Sequence, residues 1–315
     1  MSTDQSLITT DTSAPSNLLC QKKIILLSRL NGESLVQLIN CIRQTGHQLI
    51  LLVTALGYNH SLNEKNYDDL AARIRMIYTS VIDPPPTVTI NCISQLLPFL
   101  NTFDPDLIIS VNFPYQLTGS VLAHRSIKIN AHSSPLPLYR GNNAYGRAVL
   151  KQVPHWAVTW HYIDENYDTG NILIQKFFEL QLPYIIKDIA MQSQKRIVET
   201  LSEAIQMALI GNPGTVQRQP TVEEEPYVNA NSFTIAERTI TAGQSCHEVW
   251  ALVEACRYTL PALLNVDQRL YQVIEVRRLE TPLSDKLTVG EIKRKRNRFV
   301  QQCTDGQMEY IVRVV

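Results

Sequence analysis

Short apolar runs alternate with helix-like segments between residues 23 and 209, and this alternation limits the fold more than any other feature of the chain. In the helix-like segments, apolar side chains recur at the spacing of one helical face. These segments are Glu33 to Gln44, Tyr67 to Tyr78, Ile93 to Asn101, Asn143 to Lys151 and Lys187 to Leu209. The strand-like runs are Lys23 to Ser28, Leu49 to Val53, a short run near Val88, Leu107 to Val111, Ile127 to Asn130, Ala157 to Ile163 and Asn171 to Leu180. Strands that alternate with helices pair in parallel, so we predict an α/β fold with a doubly wound, mostly parallel sheet.

The pattern changes after residue 210. The stretch Gly211 to Pro226 holds three prolines and the run Glu223-Glu224-Glu225, which indicates a linker that turns away from the sheet. Beyond it, one helix and four short strands predict a small β-rich, barrel-like domain of OB type. The helix is Cys246 to Cys256, and the strands are Gln272 to Arg277, Leu287 to Ile292, Phe299 to Cys303 and Glu309 to Val314. We therefore expect a disordered tail (1–20), an α/β domain (21–210), a linker (211–230) and a small C-terminal domain (231–315).

Charge and cysteine content exclude several classes of protein. Basic and acidic residues both number 29, so the net charge of zero provides no overall attraction to nucleic acid or to an anionic membrane. No apolar run approaches the roughly 20 residues that cross a bilayer, and the N-terminal residues lack the pattern of a secretory signal. The six cysteines show no CxxC pair and no metal-site spacing. These features predict a cytoplasmic protein with reduced thiols and without a bound metal.

Polar residues suited to catalysis cluster between residues 128 and 170. Asn130 and His132 end a predicted strand, and residues two apart on a strand lie on the same side of its backbone. The carboxyl end of a parallel sheet is also where ligands bind. The histidine loop, Ser133 to Gly141, follows directly, with Pro or Gly at three of its nine positions. Asp168 lies 36 residues after His132, in the aspartate turn, Asp164 to Gly170.

These residues resemble the folate-dependent formyltransferases, a family that includes enzymes acting on glycinamide ribonucleotide, methionyl-tRNA and sugar nucleotides. The histidine and the loop after it match the family pattern HxSLLPxYRG, except that Pro135 replaces the first leucine. Asp168-Thr169-Gly170 is similar to the family's DTG element. The resemblance covers residues 22 to 210 and includes Pro105 to Ile109 and Phe113 to Leu117. More weakly, Ser245 to Arg257 and Val289 to Val312 resemble the C-terminal domain of methionyl-tRNA formyltransferases and of some sugar enzymes.

The resemblance implies 10-formyltetrahydrofolate as the formyl donor, held by two segments near the catalytic residues. The residues that it implies as folate contacts are Phe113, Tyr115, Gln116, Leu117, Ile163, Asp164, Glu165 and Tyr167. Formyl transfer needs donors for a developing oxyanion, which the Asn130 amide and a protonated His132 can supply. The third expected catalytic residue is Asp168, which would favour the charged imidazole and accept a proton from the attacking amine.

The acceptor follows less directly from the sequence. Candidate substrate contacts are Ser134, Arg140, Ser28 and Asn31, the last two in a loop with one glycine, unlike the glycine-rich phosphate loop of glycinamide ribonucleotide formyltransferases. Methionyl-tRNA formyltransferases carry a basic insertion after the second strand, whereas residues 54–69 contain Lys65 as their one basic residue. We therefore expect a small amine, either an aminosugar nucleotide or a biosynthetic amino acid derivative. The alternatives are methionyl-tRNA formylation, hydrolysis of 10-formyltetrahydrofolate, and a non-catalytic folate-binding protein.

Three further features have an ordinary structural interpretation. The basic run Lys293 to Arg296, with Arg298, favours a solvated strand face over an RNA contact. His155 and His161 lie near the site in the sequence, and we expect neither to be catalytic. His161 alternates within a predicted strand, so we interpret it as packed or exposed. The strand Gln272 to Val276 offers an edge through which a homodimer could pair.

Overall fold

The computed structural model describes residues 21–30, 32–55, 64–224, 228–229, 232–282, 287–295 and 298–314. The expected tail and Asn31 lie outside the described residues, as do parts of the expected linker. No helix within the described ranges is both long enough and apolar enough to cross a lipid bilayer.

The first sheet has seven strands in the order β3-β2-β1-β4-β5-β6-β7. Pairs among β1 to β5 are parallel, whereas β5–β6 and β6–β7 are antiparallel, so the predicted mostly parallel sheet is confirmed. The strands are β1 (Lys23–Ser28), β2 (Gln48–Ala55), β3 (Thr87–Ile90), β4 (Leu107–Val111), β5 (Ile127–His132), β6 (His155–Tyr162) and β7 (Ile172–Glu179).

Helices cover both faces of this sheet. They are α1 (Gly32–Gln44), α2 (Glu64–Ser80), α3 (Leu97–Phe103, preceded by a 3₁₀ turn at Ile93–Leu96), α4 (Gly119–Ala123), α5 (Ala144–Lys151) and α6 (Ile186–Leu209). Strand β1 shows the reason for the two layers. Ile24 and Leu26 join the core under α1 and α6, whereas Ile25 and Leu27 join a second core under α3 and α4. A strand that buries both faces is a continuous apolar run, as is typical of parallel sheets.

The second sheet has six strands in the order β11-β12-β13-β10-β9-β8, which confirms a β-rich C-terminal region. Its elements are β8 (Thr239–Ile240), α7 (Cys246–Ala255), β9 (Leu263–Val266), β10 (Arg269–Arg278), β11 (Ile292–Lys295), β12 (Arg298–Cys303) and β13 (Gly306–Val314). Neighbouring strands are antiparallel except for β8 and β9. A capping box between Ser245 and Glu248 starts α7.

Helix α7 joins the two sheets. The core that fills the space under α1 and α6 continues without a break to the buried side chains of α7. Gly146 on α5 packs against α7 so closely that an added Cβ would lie 2.7 Å from the Ala255 carbonyl oxygen. The buried Glu254 carboxylate accepts a hydrogen bond of 3.1 Å from the backbone N–H of Ile186, at the start of α6. The expected domain boundaries stay a prediction, since these contacts link the parts that they would separate.

Two predictions about the C-terminal half were wrong. The strand expected at Leu287 to Ile292 begins only at Ile292, because residues 288–291 form a turn. Thr288 N–H donates to the Glu291 carboxylate at 2.9 Å, and Gly290 has a φ of 87°. The segment after residue 210 was expected to leave the sheet, yet Thr215 pairs with Ile172 through two backbone hydrogen bonds of 2.7 and 2.8 Å. The segment therefore follows the edge strand β7 at the end where Asp168 lies.

Strand β10 is less of a free edge than the sequence indicated. It pairs with β9 over residues 269–272 and with β13 over residues 271–278. The basic strand β11 is exposed from Lys293 to Lys295, as expected for a solvated strand face.

Candidate active site

Strand β5 ends between β4 and β6, and it presents Asn130 and His132 at the carboxyl edge of the parallel strands. The aspartate turn joins β6 to β7 and brings Asp168 back to this edge. His132 Nδ1 lies 3.5 Å from Asp168 Oδ2, and their side chains are 12% and 11% exposed. The two residues predicted to act together are therefore adjacent, in a site that is mostly shielded from water.

His132 faces an acceptor on each side of its ring. Nε2 lies 2.9 Å from the backbone oxygen of Tyr139, to which Nε2–H donates. Nδ1 faces the Asp168 carboxylate. A ring that is protonated on both nitrogens satisfies both acceptors, whereas a neutral ring satisfies one. The surroundings of His132 are thus suited to an imidazolium.

His161 is a site residue that the sequence analysis set aside. It lies directly opposite Asn130 in the β5–β6 pair and is 2% exposed. Its Nδ1 lies 2.7 Å from the Tyr162 backbone oxygen, and its Nε2 lies 3.1 Å from Asn130 Nδ2 and 3.5 Å from Asp168 Oδ1. His161 therefore contacts two of the three predicted catalytic side chains. Its strand alternation was visible in the sequence, but its partners depend on the antiparallel register.

Asp168 is held as a carboxylate by its neighbours. Burial alone would raise the pKa of its carboxyl, but the charges of His132 and His161 and the backbone N–H of Gly141 outweigh it. The pKa of Asp168 consequently lies well below its usual range. The Gly141 N–H donates to Oδ2 at 3.0 Å, which ties the aspartate turn to the end of the histidine loop.

The aspartate turn needs the glycine that ends it. A Cβ on Gly170 would lie 2.0 Å from the backbone oxygen of Tyr162, so no larger residue fits without a shift of the backbone. Asp164 Oδ1 accepts hydrogen bonds from Asn166 N–H at 3.2 Å and from the Thr169 hydroxyl at 2.6 Å. These local bonds fix the turn that carries Asp168.

Two predicted substrate contacts point elsewhere. Ser134 is fully buried, and its hydroxyl donates to the Leu138 backbone oxygen at 2.8 Å. Ser28 is 1% exposed, and its hydroxyl accepts from Leu30 N–H at 3.1 Å. Each hydroxyl bonds to a backbone atom of its own loop. A role for Ser28 or Ser134 in binding substrate stays a prediction. Asn31 lies outside the described residues.

Arg140 is directed toward the segment that follows α6. Its Nη2 donates to Gln217 Oε1 at 2.6 Å, and its backbone N–H donates to the Val228 oxygen at 2.9 Å. Its Nε is buried and has no hydrogen-bond partner. A role for Arg140 in binding substrate stays a prediction.

The two segments expected to contact folate meet at this end of the sheet. Gln116 Nε2 donates to the Glu165 backbone oxygen at 2.8 Å, which joins the turn after β4 to the aspartate turn. The rings of Phe113 and Tyr115 pack edge to face with centroids 5.6 Å apart. The remaining predicted contacts are Leu117, which is buried, Ile163 and Asp164, which are half-buried, and Glu165 and Tyr167, which are exposed. Within the described ranges, no group of three His, Cys, Asp or Glu side chains could hold a metal ion.

Comparison with known proteins places this site in a family. Residues 22–205 match the family model described as formyl transferase. The chain is similar to the GDP-perosamine N-formyltransferase of Brucella melitensis, with 27% identity over 180 residues, which cover 54% of this chain and 65% of that protein. The chain thus spans about two thirds of the length of the curated relatives it matches first.

Solved structures share the fold at low sequence identity. HypX from Aquifex aeolicus in complex with tetrahydrofolic acid superposes with a TM-score of 0.63 at 17% identity, over 92% of this chain and 43% of that one. The N-formyltransferase from Helicobacter canadensis in complex with folinic acid and dTDP-3-aminofucose superposes with a TM-score of 0.57 at 16% identity, over 93% of this chain and 100% of that one.

Proposed function

The chain belongs to the formyl transferase family, and from this premise we propose that it transfers the formyl group of 10-formyltetrahydrofolate to a primary amine of an aminosugar nucleotide. A biosynthetic amino acid derivative is the other small acceptor that we expected. The observation that carries the proposal is the convergence of the Asn130 amide, the His132 ring and the Asp168 carboxylate at one edge of the sheet.

The residues around this edge fit a folate donor. The turn after β4 and the aspartate turn are joined by the hydrogen bond from the Gln116 side chain to the Glu165 backbone oxygen, so main-chain groups of both turns are near each other. Such groups can bind the polar edge of a pterin, and the half-buried rings of Phe113 and Tyr115 offer apolar contact. The donor supplies a formyl group on its N10 nitrogen.

The three side chains have separate tasks in the transfer. The acceptor amine forms a bond to the formyl carbon, and the bond from that carbon to N10 then breaks. Asn130 and the protonated His132 donate hydrogen bonds to the formyl oxygen as it gains negative charge, and one such donor typically contributes about 3 kcal/mol. His132 then gives a proton to the departing nitrogen.

Asp168 has an electrostatic task before any proton moves. Because its pKa is so low, the carboxylate stays charged and stabilises the imidazolium form of His132. The proton lost by the amine leaves through a water molecule beside this carboxylate. His132, once it has given up its proton, recovers one by the same route.

The identity of the acceptor rests on similarity to the GDP-perosamine N-formyltransferase and on the dTDP-3-aminofucose complex of the Helicobacter canadensis enzyme. The second candidate is methionyl-tRNA. It is favoured by 38% identity to the methionyl-tRNA formyltransferase of Halothermothrix orenii over 78 residues, which cover 24% of this chain.

An acceptor screen tests the proposal. The purified chain receives 10-formyltetrahydrofolate with GDP- and dTDP-linked aminosugars, free amino acid derivatives, charged methionyl-tRNA, or buffer alone, and the products are identified by mass spectrometry. We expect formylation of an aminosugar nucleotide, and none with a His132→Ala variant. Formylation of methionyl-tRNA alone would overturn the acceptor class. Formate release at the same rate without any acceptor would indicate hydrolysis, and no folate turnover at all would contradict the proposed reaction.

A further inference from the structure

The segment after α6, residues 211–224, forms a strap across the end of the sheet where Asp168 lies. Its backbone pairs with Ile172 at Thr215, next to the end of the aspartate turn. Two residues later, Gln217 is 9% exposed, whereas Val216 and Arg218 on either side are exposed. The strap therefore directs one polar side chain inward, at the level of the catalytic turn.

The Gln217 side-chain amide makes three hydrogen bonds, which use both its nitrogen and its oxygen. Nε2 donates to the backbone oxygens of Asp168 and Gly170, both at 2.9 Å. Oε1 accepts from Arg140 Nη2 at 2.6 Å. With two carbonyl oxygens on one side and a guanidinium on the other, the reversed amide would place like groups together. The orientation of Gln217 is thus fixed by its three partners.

These bonds complete a closed ring of contacts around the catalytic carboxylate. Gln217 links to Arg140, the neighbouring Gly141 N–H donates to Asp168 Oδ2, and the Asp168 backbone oxygen accepts from Gln217. Asp168 itself has a φ of 57°, in the left-handed region that a non-glycine residue keeps only where its surroundings hold it. Gln217 bonds to the backbone oxygen of Asp168, and the Gly141 N–H bonds to its carboxylate.

We infer that Gln217 is a positioning residue, which aligns the Asp168 carboxylate with the His132 ring by bonding the backbone of the aspartate turn and the Arg140 side chain at once. This inference deepens the proposed function, because the alignment matters for formyl transfer. A positioning role of Gln217 has a different consequence from a purely structural one. Loss of alignment lowers kcat and leaves the folate KM nearly unchanged, since the partners of Gln217 are Asp168, Gly170 and Arg140, none of which is a predicted folate contact.

Two variants separate the bonds that Gln217 makes. Gln217→Met removes all three hydrogen bonds at similar volume. Gln217→Glu keeps an acceptor for Arg140 but loses both donors to the aspartate turn. The matched control is Gln219→Met, on the same strap, because the Gln219 side chain is exposed. Each variant is assayed for kcat and KM, for its thermal unfolding midpoint, and by crystallography for the distance from His132 Nδ1 to Asp168 Oδ2.

For both Gln217 variants we expect a fall in kcat of about 10- to 100-fold, the size that a misplacement of about 1 Å produces, together with a His132–Asp168 distance longer than 3.5 Å. The control should match the wild type. Wild-type kcat and an unchanged distance in Gln217→Met would overturn the inference. Full activity of Gln217→Glu would also overturn the inference, since the bond to Arg140 alone would then suffice. Loss of the folded state in both variants would overturn it too, since Gln217 would then be needed for folding. If the wild type transfers no formyl group, the proposed function fails, and the distance in the variant crystals still decides the role of Gln217.

Discussion

His161 Nε2 lies 3.5 Å from Asp168 Oδ1, the carboxylate oxygen that His132 does not face. One buried carboxylate therefore lies between two imidazole rings, each anchored by its other nitrogen to a backbone oxygen. The ring of His161 also contacts the Asn130 amide, so it orients two of the three groups that we expect to act in transfer.

Replacement of His161 tests this arrangement. We expect His161→Leu to lower kcat by about 10-fold to 100-fold, since Asn130 and Asp168 both lose a partner. His161→Gln should retain more activity because its amide can still bond to one of them. His155→Leu, at the exposed start of the same strand, is the control. Equal turnover in the His161→Leu variant and the control would show that His161 is only a packed side chain.

Removal of a group with a proposed catalytic role should have a larger effect. We expect His132→Ala and Asp168→Asn to reduce formyl transfer by about 10²- to 10⁴-fold, the range for a positioned acid or base. Stopped-flow or steady-state assays of product formation measure the loss of transfer rate. Circular dichroism shows whether the variants fold. Near wild-type turnover in either folded variant would remove that residue from the mechanism.

The buried carboxylate predicts a specific pH dependence of stability. The pKa of Asp168 is lowered in the folded protein, so its contribution to the unfolding free energy is full above the unfolded value of about 3.9 and is lost as the pH falls below it. Denaturant titrations between pH 7 and pH 3 should therefore show a steeper acid loss of stability in the wild type than in Asp168→Asn. Parallel curves for the two proteins would mean that folding does not lower the pKa of Asp168.

Gly170 offers a test of the catalytic turn that does not depend on activity. A Cβ there would meet the Tyr162 oxygen at 2.0 Å, and we expect Gly170→Ala to lower the unfolding free energy by about 2 to 4 kcal/mol. Gly243→Ala is the comparison, because its surroundings are open and its φ of 85° costs only about 1 kcal/mol. Urea unfolding of both variants gives the difference, and an equal loss would show that the turn can shift to make room.

The link between the two predicted folate segments should affect donor binding more than chemistry. Gln116→Ala removes the hydrogen bond to the Glu165 backbone oxygen, so the two segments lose a fixed spacing. We expect the KM for 10-formyltetrahydrofolate to rise by about 3- to 10-fold, the equivalent of one hydrogen bond, at a similar kcat. A change confined to the acceptor KM would place the folate elsewhere.

The sequence predicted the first sheet well because its strands are buried on both faces. Runs such as Ile24 to Leu27 have few other possible structures, and the two-residue spacing of Asn130 and His132 determined their common side. It predicted the small sheet less well, because a two-residue strand such as β8 has no periodicity to detect.

The contacts at the site that the sequence did not predict have a common physical cause. Ser28 and Ser134 have the residue type of a ligand contact, but a hydroxyl bonds equally well to a nearby backbone atom, and sequence alone does not separate the two. His161 and Gln217 acquire their partners only through strand register and through a contact that spans 49 residues of chain. Long-range contacts of this kind leave no local signal.

The shared packing of α5 and α7 couples the stability of the two halves of this chain. Gly146 and Ala255 bring the two helices close, and Glu254 caps the helix that closes the first sheet. A catalytic half copied alone into another gene would leave the apolar face of α5 in water and the start of α6 without its carboxylate. We conclude that, in this chain, the first sheet depends on the second for the burial of α5 and for a hydrogen bond at the start of α6.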